Sequence, residues 1–134
     1  MDVTVGSAAE VPCADISAPM GFGRQERGVM TMHDAKEVVL VAEAAALAGK
    51  RDELLRAILD DLVPNSLAEP GISVFRLHED RDRSGHFMLY ERFRDQESIE
   101  SHFATEHFVT FCKALSELAE GGKPKLTYYQ ALSD

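Results

Sequence analysis

Between Ile72 and Phe93 the chain reads twice as a strand, ISVFRLH over Ile72–His78 and FMLYERF over Phe87–Phe93. The polar run Glu79-Asp80-Arg81-Asp82-Arg83-Ser84-Gly85 joins them. Two alternating runs separated by a polar connection that contains glycine predict an antiparallel hairpin. A hairpin in mid-chain cannot bury its own apolar side chains, so the segments on either side must supply the cover. Upstream, Lys36–Ala45 (KEVVLVAEAA) has the composition and alternation of a strand. Gly49–Val63 places Leu54, Leu55, Ile58, Leu59 and Leu62 on one face at the helical period. Pro64 is expected to kink or end that helix, and Glu69-Pro70-Gly71 to form a turn. Downstream, Asp95 is a candidate N-cap for a short helix over Gln96–Ala104. Thr105 caps a second stretch to about Ala119, with Phe108, Phe111, Cys112, Leu115 and Ala119 on one face. Gly121-Gly122 ends it, and Leu126–Leu132 (LTYYQAL) is the last strand.

The order β-α-β-β-α-β predicts an α+β, ferredoxin-like split βαβ fold: a four-stranded antiparallel sheet with helices on one face. The other face carries apolar side chains on either choice of alternation, Phe87, Leu89 and Phe93 or Met88 and Tyr90. Such a face needs a cover. A second copy of the same sheet is the simplest one, and a two-fold interface is the commonest kind. The length of 134 residues fits one domain. A chain this short buries only about two-thirds of its unfolded surface, so pairing adds burial. Residues 1–33 hold Gly6, Pro12, Pro19, Gly21, Gly23 and Gly28 without a sustained period and read as an irregular extension or arm. The domain proper spans residues 34–134.

The net charge of −9, from 23 acids against 14 bases, argues against nucleic acid or an anionic membrane as partner, because both need a basic face. No apolar run approaches the roughly 18 residues of a membrane span. The first basic residue is Arg24, and no apolar core precedes a small-residue cleavage site, so no signal peptide is expected. Cys13 and Cys112 cannot build a disulfide framework and contain no C-x-x-C; they read as thiols of a reducing cytoplasm. The expected location is therefore cytoplasmic. There is no G-x-G-x-x-G after a strand, no P-loop, no G-x-S-x-G and no H-E-x-x-H, so nucleotide-dependent, serine-hydrolase and zinc-protease classes lose support.

Glu69-Pro70-Gly71, Phe75-Arg76-Leu77-His78, Phe87 to Phe93, then Asp95, Ile99, His102, Thr105, His107-Phe108 and Phe111 together resemble one family. It is the antibiotic biosynthesis monooxygenase family of dimeric α+β barrels, nearest its quinol monooxygenase and autoinducer-2-processing isomerase branch. The resemblance covers about Glu37 to Leu132. It implies a homodimer, small-molecule chemistry and, in several members, oxygenation of electron-rich aromatic rings without flavin, haem or metal. The haem-degrading relatives fit less well, because the chain has no Trp and carries Cys112 at roughly the position of their haem-ligating histidine.

The residues that bear chemistry are few. His102 shares a helical face with Ile99 and matches the family's recurrent histidine; imidazole titrates near neutrality and can take a proton from a phenol or an enol. Its plain alternative is a satisfied core histidine. Glu91 alternates onto the face of Phe87, Leu89 and Phe93, where a carboxylate must be paired, for instance with Arg76 or Arg92, or else have a raised pKa. As a functional group it would orient His102 or exchange a proton. His107 opens the last helix, where it is either a helix-entry residue or a contact for a substrate oxygen. Asn65 and Ser66 read as local caps before substrate contacts. Asn65, Arg76, Tyr90, Phe108 and Tyr128 are the expected substrate-binding residues. No metal site is expected: His102 and His107 stand five apart, which on a continuous helix puts them on different faces, and His78 and His86 near the hairpin read as solvated.

The leading expectation is a cofactor-independent monooxygenase of a hydroquinone or polyphenol, in which His102, helped by Glu91, forms a substrate anion that reacts with O₂. An isomerase of a small dicarbonyl is the alternative; a phosphorylated substrate would call on Arg76, Arg92 and Lys113. A non-enzymatic small-molecule binding module on the same dimer is the third reading.

Overall fold

The computed structural model describes residues 37–133. The expected arm at residues 1–33 and Cys13 lie outside the described residues, and the expectation of a free thiol at Cys112 is corrected, because Cys112 is disulfide-bonded. The elements are β1 (Val38–Ala45), α1 (Arg51–Ala57), a π-helical turn (Ile58–Leu62), α2 (Val63–Leu67), β2 (Ile72–Glu79) and β3 (His86–Phe93). They are followed by α3 (Gln96–Phe103), α4 (Glu106–Leu118), a 3₁₀ turn (Glu120–Gly122) and β4 (Lys125–Gln130). The strands run in the order β2-β3-β1-β4, and every neighbouring pair is antiparallel. This is the ferredoxin-like arrangement that the alternation predicts.

Strand periodicity decides which side chains meet the helices. Phe87, Leu89, Glu91 and Phe93 are all buried, and the even-numbered residues between them are only partly so. With Leu40, Ala42 and Phe75 they pack against Leu54, Ile58 and Leu62 from α1 and the π turn, Ile99 from α3, and Phe108, Phe111, Cys112 and Leu115 from α4. The opposite face carries Val41, Met88 and Tyr90 together with Arg76 and Arg92, placed by the register Val41↔Tyr90 and Arg76↔Tyr90.

One local expectation is corrected. Of the two outcomes expected at Pro64, a kink or an end, the end is ruled out, because the helical run continues to Leu67. The wide turn at Ile58–Leu62 changes the hydrogen-bond spacing just before the proline, which lets the run continue where an ordinary α-helix would meet the proline ring and lack its N–H. The other element boundaries shift by a residue or two. No helix among the described residues is long and apolar enough to cross a membrane.

Candidate active site

The site is built at two corners of the chain. The first is the turn after α2. The amide of Glu69 donates to the Ser66 carbonyl, the Ile72 amide donates to the Glu69 carbonyl, and the Arg94 amide donates to the Gly71 carbonyl at 2.7 Å. Gly71 lies so close to α3 that a Cβ there would sit 2.2 Å from Ser98 Oγ. Only glycine lets the turn come down onto that helix, and this contact aims the Glu69 side chain at its C-terminal end.

The second corner is the α3–α4 junction. Asp95 starts α3 by accepting from the Ser98 amide at 2.8 Å, and the helix stops at Phe103. Thr105 then does two jobs: its hydroxyl donates to the His102 carbonyl at 2.7 Å and accepts from the Phe108 amide at 3.2 Å. This break overturns the argument that His102 and His107 point apart, because the i, i+5 geometry of a continuous helix does not apply across a capped corner. The two rings are 5.8 Å apart, centre to centre.

Glu69 Oε2 lies 2.8 Å from His102 Nδ1 and 2.6 Å from His107 Nε2. Burial by itself raises the Glu69 pKa, but the hydrogen bonds from His102 and His107 outweigh it and hold the group below the ordinary carboxylate value. As a carboxylate it only accepts, so both rings donate to it. That fixes the neutral tautomers: His102 keeps a lone pair on Nε2 and His107 keeps one on Nδ1. His102 is 1% exposed. Its ring is enclosed by Phe108 at 5.2 Å, Phe93 at 5.5 Å, Phe75 at 5.6 Å and Phe103 at 6.0 Å. Phe108 is thus a wall of this corner.

Glu91 lies on the sheet beneath. The register sets Phe75, Glu91, Leu40 and Tyr128 in one row across all four strands, on the helix-facing side. Phe75 beside Glu91, and Phe93 two residues along, are both in contact with the His102 ring, so Glu91 borders the same corner. The expected salt bridge to Arg76 or Arg92 does not form. Arg92 points to the other face, where it bonds Glu37 at 2.6 Å and the Tyr90 hydroxyl at 3.2 Å. Glu91 Oε1 is buried with no hydrogen-bond partner. Burial, reinforced by the Glu69 charge, drives the Glu91 pKa well above the usual carboxylate range. Tyr128 is pushed up to about 12, by burial first and then by the Glu91 charge.

The remaining expected residues divide. Asn65 and His107 line one half-open cleft of about 500 Å³ between the first helical segment and α4, together with Asp61, Glu106, Thr110 and Phe111. The Asn65 side chain bonds back one turn within its own helical run, donating to the Asp61 carbonyl at 2.8 Å and to Asp61 Oδ1 at 3.0 Å. Arg76 and Tyr90 are not brought to the corner. They lie on the opposite face of the sheet, because a residue next to Glu91 in a strand cannot share its face. The residue that sequence reasoning missed as a site group is Glu69, seen only as part of a turn. The signal was present, since Thr105 as an N-cap already implied the helix break that lets two histidines converge on one acceptor.

The antibiotic biosynthesis monooxygenase model matches residues 37–114, more than half of the chain. The chain belongs to the antibiotic biosynthesis monooxygenase family. It is 31% identical over 64 residues to a Mycobacterium tuberculosis protein named "Putative monooxygenase Rv0793", a match spanning 48% of this chain and 62% of that relative. The crystal structure of PA3566 from Pseudomonas aeruginosa is 31% identical, with a TM-score of 0.67, covering 75% of this chain and 99% of that one. The structure of Rv0793 itself superposes with a TM-score of 0.65 at 24% identity, covering 73% of this chain and 97% of that one, and so speaks for the fold.

Proposed function

We propose that this chain is a monooxygenase of a hydroquinone or polyphenol that needs no organic cofactor, with His102 as the base. The observation that carries the reading is the 2.8 Å contact between Glu69 and His102 Nδ1, made by a ring enclosed in phenylalanines. A carboxylate that accepts from one ring nitrogen leaves the other as the base and stabilises the imidazolium that forms, as in other carboxylate–histidine pairs. Glu69 takes the orienting role first expected of Glu91. Deprotonation makes the ring electron-rich enough to pass electrons to dioxygen. Hydroquinone plus O₂ giving hydroxyquinone plus water balances without an external reductant, so the protein has to supply proton transfer, positioning and a dry site. Glu91, held neutral by burial, supplies a proton to the reduced oxygen. His107, donating to the same Glu69 oxygen, helps hold that carboxylate in its ionised, accepting form beside His102.

The functional unit is a homodimer closed over the sheet face that bears Val41, Met88 and Tyr90, which gives an apolar strip its cover. An isomerase is the second reading, favoured by one observation: a neutral buried acid beside a base is also what enolisation of a dicarbonyl requires. Its phosphorylated variant is not supported by Arg76 and Arg92, which lie on the other side of the sheet.

The test is oxygen uptake by chelator-treated protein with a panel of hydroquinones and anthrols, for the native chain and for His102→Ala. Uptake that requires native protein and collapses in the variant supports the reading. Enzyme-dependent turnover of dicarbonyls without oxygen consumption would replace it with the isomerase.

A further inference from the structure

We propose that Glu69, His102 and His107 form a binding site for a divalent transition-metal ion of the zinc type, which enters by displacing the two ring protons now shared with the carboxylate. The three ligand atoms lie within 4.8 Å of one another, and among the described residues no other group of three His, Cys, Asp or Glu residues does so. Two histidines and one glutamate are an established donor set for zinc with one position left open. The nitrogens stand 2.8 and 2.6 Å from Oε2. Tetrahedral ligands on bonds of about 2.0 Å are roughly 3.3 Å apart, so the two contacts to Oε2 open by about 0.5 and about 0.7 Å while the two nitrogens, within 4.8 Å of each other, settle at the same spacing.

The surroundings suit that change. His102 is fixed by its four phenylalanine neighbours, which leaves the side chain of Glu69 on its turn and that of His107 in the first turn of α4 to adjust. His107 also lines the cleft that carries Asp61 and Glu106, so an incoming cation meets acidic side chains and water can fill the open position. The ion would bind through the Nδ1 atom of His102. A neutral imidazole ligated at Nδ1 carries its proton on Nε2, the atom that the oxygenase reading uses as the base. Metal and catalysis therefore compete, and zinc is an inhibitor of this site.

Binding is measured without substrate, so it stands or falls separately from the oxygenase reading. The full chain, stripped with chelator, is titrated with zinc sulfate by calorimetry and with cobalt(II) by visible absorption, and its melting temperature is followed with and without zinc. One ion per chain is expected, with a tetrahedral cobalt spectrum and a rise in melting temperature. Glu69→Gln and His107→Gln, each checked for native circular dichroism, should weaken binding by more than the ~10–100-fold that loss of a mere outer-shell partner costs. His78→Gln, on the exposed part of β2, should bind as the native chain does. No saturable binding to the native chain, or equal binding in the Glu69 and His107 variants, overturns the proposal. If one variant fails to fold, the other decides.

Discussion

Glu69 and Glu91 are both carboxylates withdrawn from water at the same corner of the fold, and the structure treats them in opposite ways. Glu69 accepts two ring N–H groups on one oxygen and stays ionised, its pKa lowered. Glu91, 3% exposed with Oε1 unpartnered, is pushed toward its neutral form. Donors decide between the two outcomes, and donors are a matter of position. Glu69 sits on a turn that glycine lets approach α3, and two histidines converge there. Glu91 sits in the middle of β3, where both backbone groups are committed to the sheet and its face offers phenylalanine and leucine. A charge beside a neutral acid is how one site holds both a base and a proton source.

The sharpest way to break this contrast is to make the first carboxylate neutral. Glu69→Gln keeps the shape but puts a donor where an acceptor was, so His102 loses its fixed tautomer. In the oxygenase assay the expected loss of kcat is about 10²–10⁴-fold, the scale seen when a base loses its orienting carboxylate. Glu91→Gln removes the transferable proton but leaves the His102 base and its tautomer in place, so it should cost less, about 10²-fold, the lower end of what a general acid contributes. An unchanged kcat in Glu91→Gln would mean that Glu91 is not the proton source, and a loss in Glu69→Gln no larger than in Glu91→Gln would mean that Glu69 does not set the base.

The next test removes the close approach that aims Glu69. Gly71→Ala places a methyl group 2.2 Å from Ser98 Oγ and 2.6 Å from Ser98 Cβ. Overpacking of this kind costs about 1–3 kcal/mol, to be read from denaturant midpoints. The displaced turn should also lower oxygen uptake. Adding Ser98→Gly removes both clashing atoms, and recovery of activity with that second change separates mispositioning of Glu69 from general instability.

How far the sequence disclosed this follows the same division between local and convergent features. The strand alternation that buries Phe87, Leu89, Glu91 and Phe93, the Asp95 and Thr105 caps, and the order of elements are properties of short windows, and all are present in the fold. The continuation of the helix past Pro64 was not visible, because it depends on a π turn that no residue type announces. The Glu69–His102–His107 cluster was half visible. Both histidines were singled out, but their meeting depends on a helix break, and their acceptor comes from a turn more than thirty residues away in the chain. Tyr90 and Arg76 were misplaced for a simpler reason: strand geometry assigns them to the face opposite Glu91, whatever their chemistry.

The third test reads the cost of Glu91 in stability. Its folded pKa is above the unfolded value, so the folded state holds the proton more tightly. Below the ordinary value of 4.5 both states are protonated and the native residue carries no penalty. As pH rises from there, the folded chain loses stability relative to the unfolded one until Glu91 finally ionises in place. Glu91→Gln should therefore match the native protein near pH 4 and be more stable at pH 8, by on the order of 1–2 kcal/mol. A variant that is less stable at pH 8 would show that Glu91 is ionised and paired after all.

The smallest expected effect comes from a third carboxylate that resembles Glu69 in its partners and differs in its exposure. Glu79, at the end of β2, accepts from Arg51 Nε and Nη2 at 2.9 Å each and from the Gly85 amide at 2.8 Å, tying the hairpin to the start of α1. The Arg51 hydrogen bonds, with the Gly85 amide next, lower its pKa to about 2. For a lowered pKa the sign is reversed from Glu91: the contribution is fully present above 4.5 and disappears as pH falls through about 2. Glu79→Gln should thus remove a small acid-sensitive part of the stability curve and leave oxygen uptake unchanged. Because the pair is open to solvent, added salt should shrink the difference further, whereas the Glu69 phenotype should persist at the same salt. If salt weakened both alike, Glu69 would be acting as a surface charge, and the distinction between a buried acceptor and an exposed one would fail at the site where it matters most.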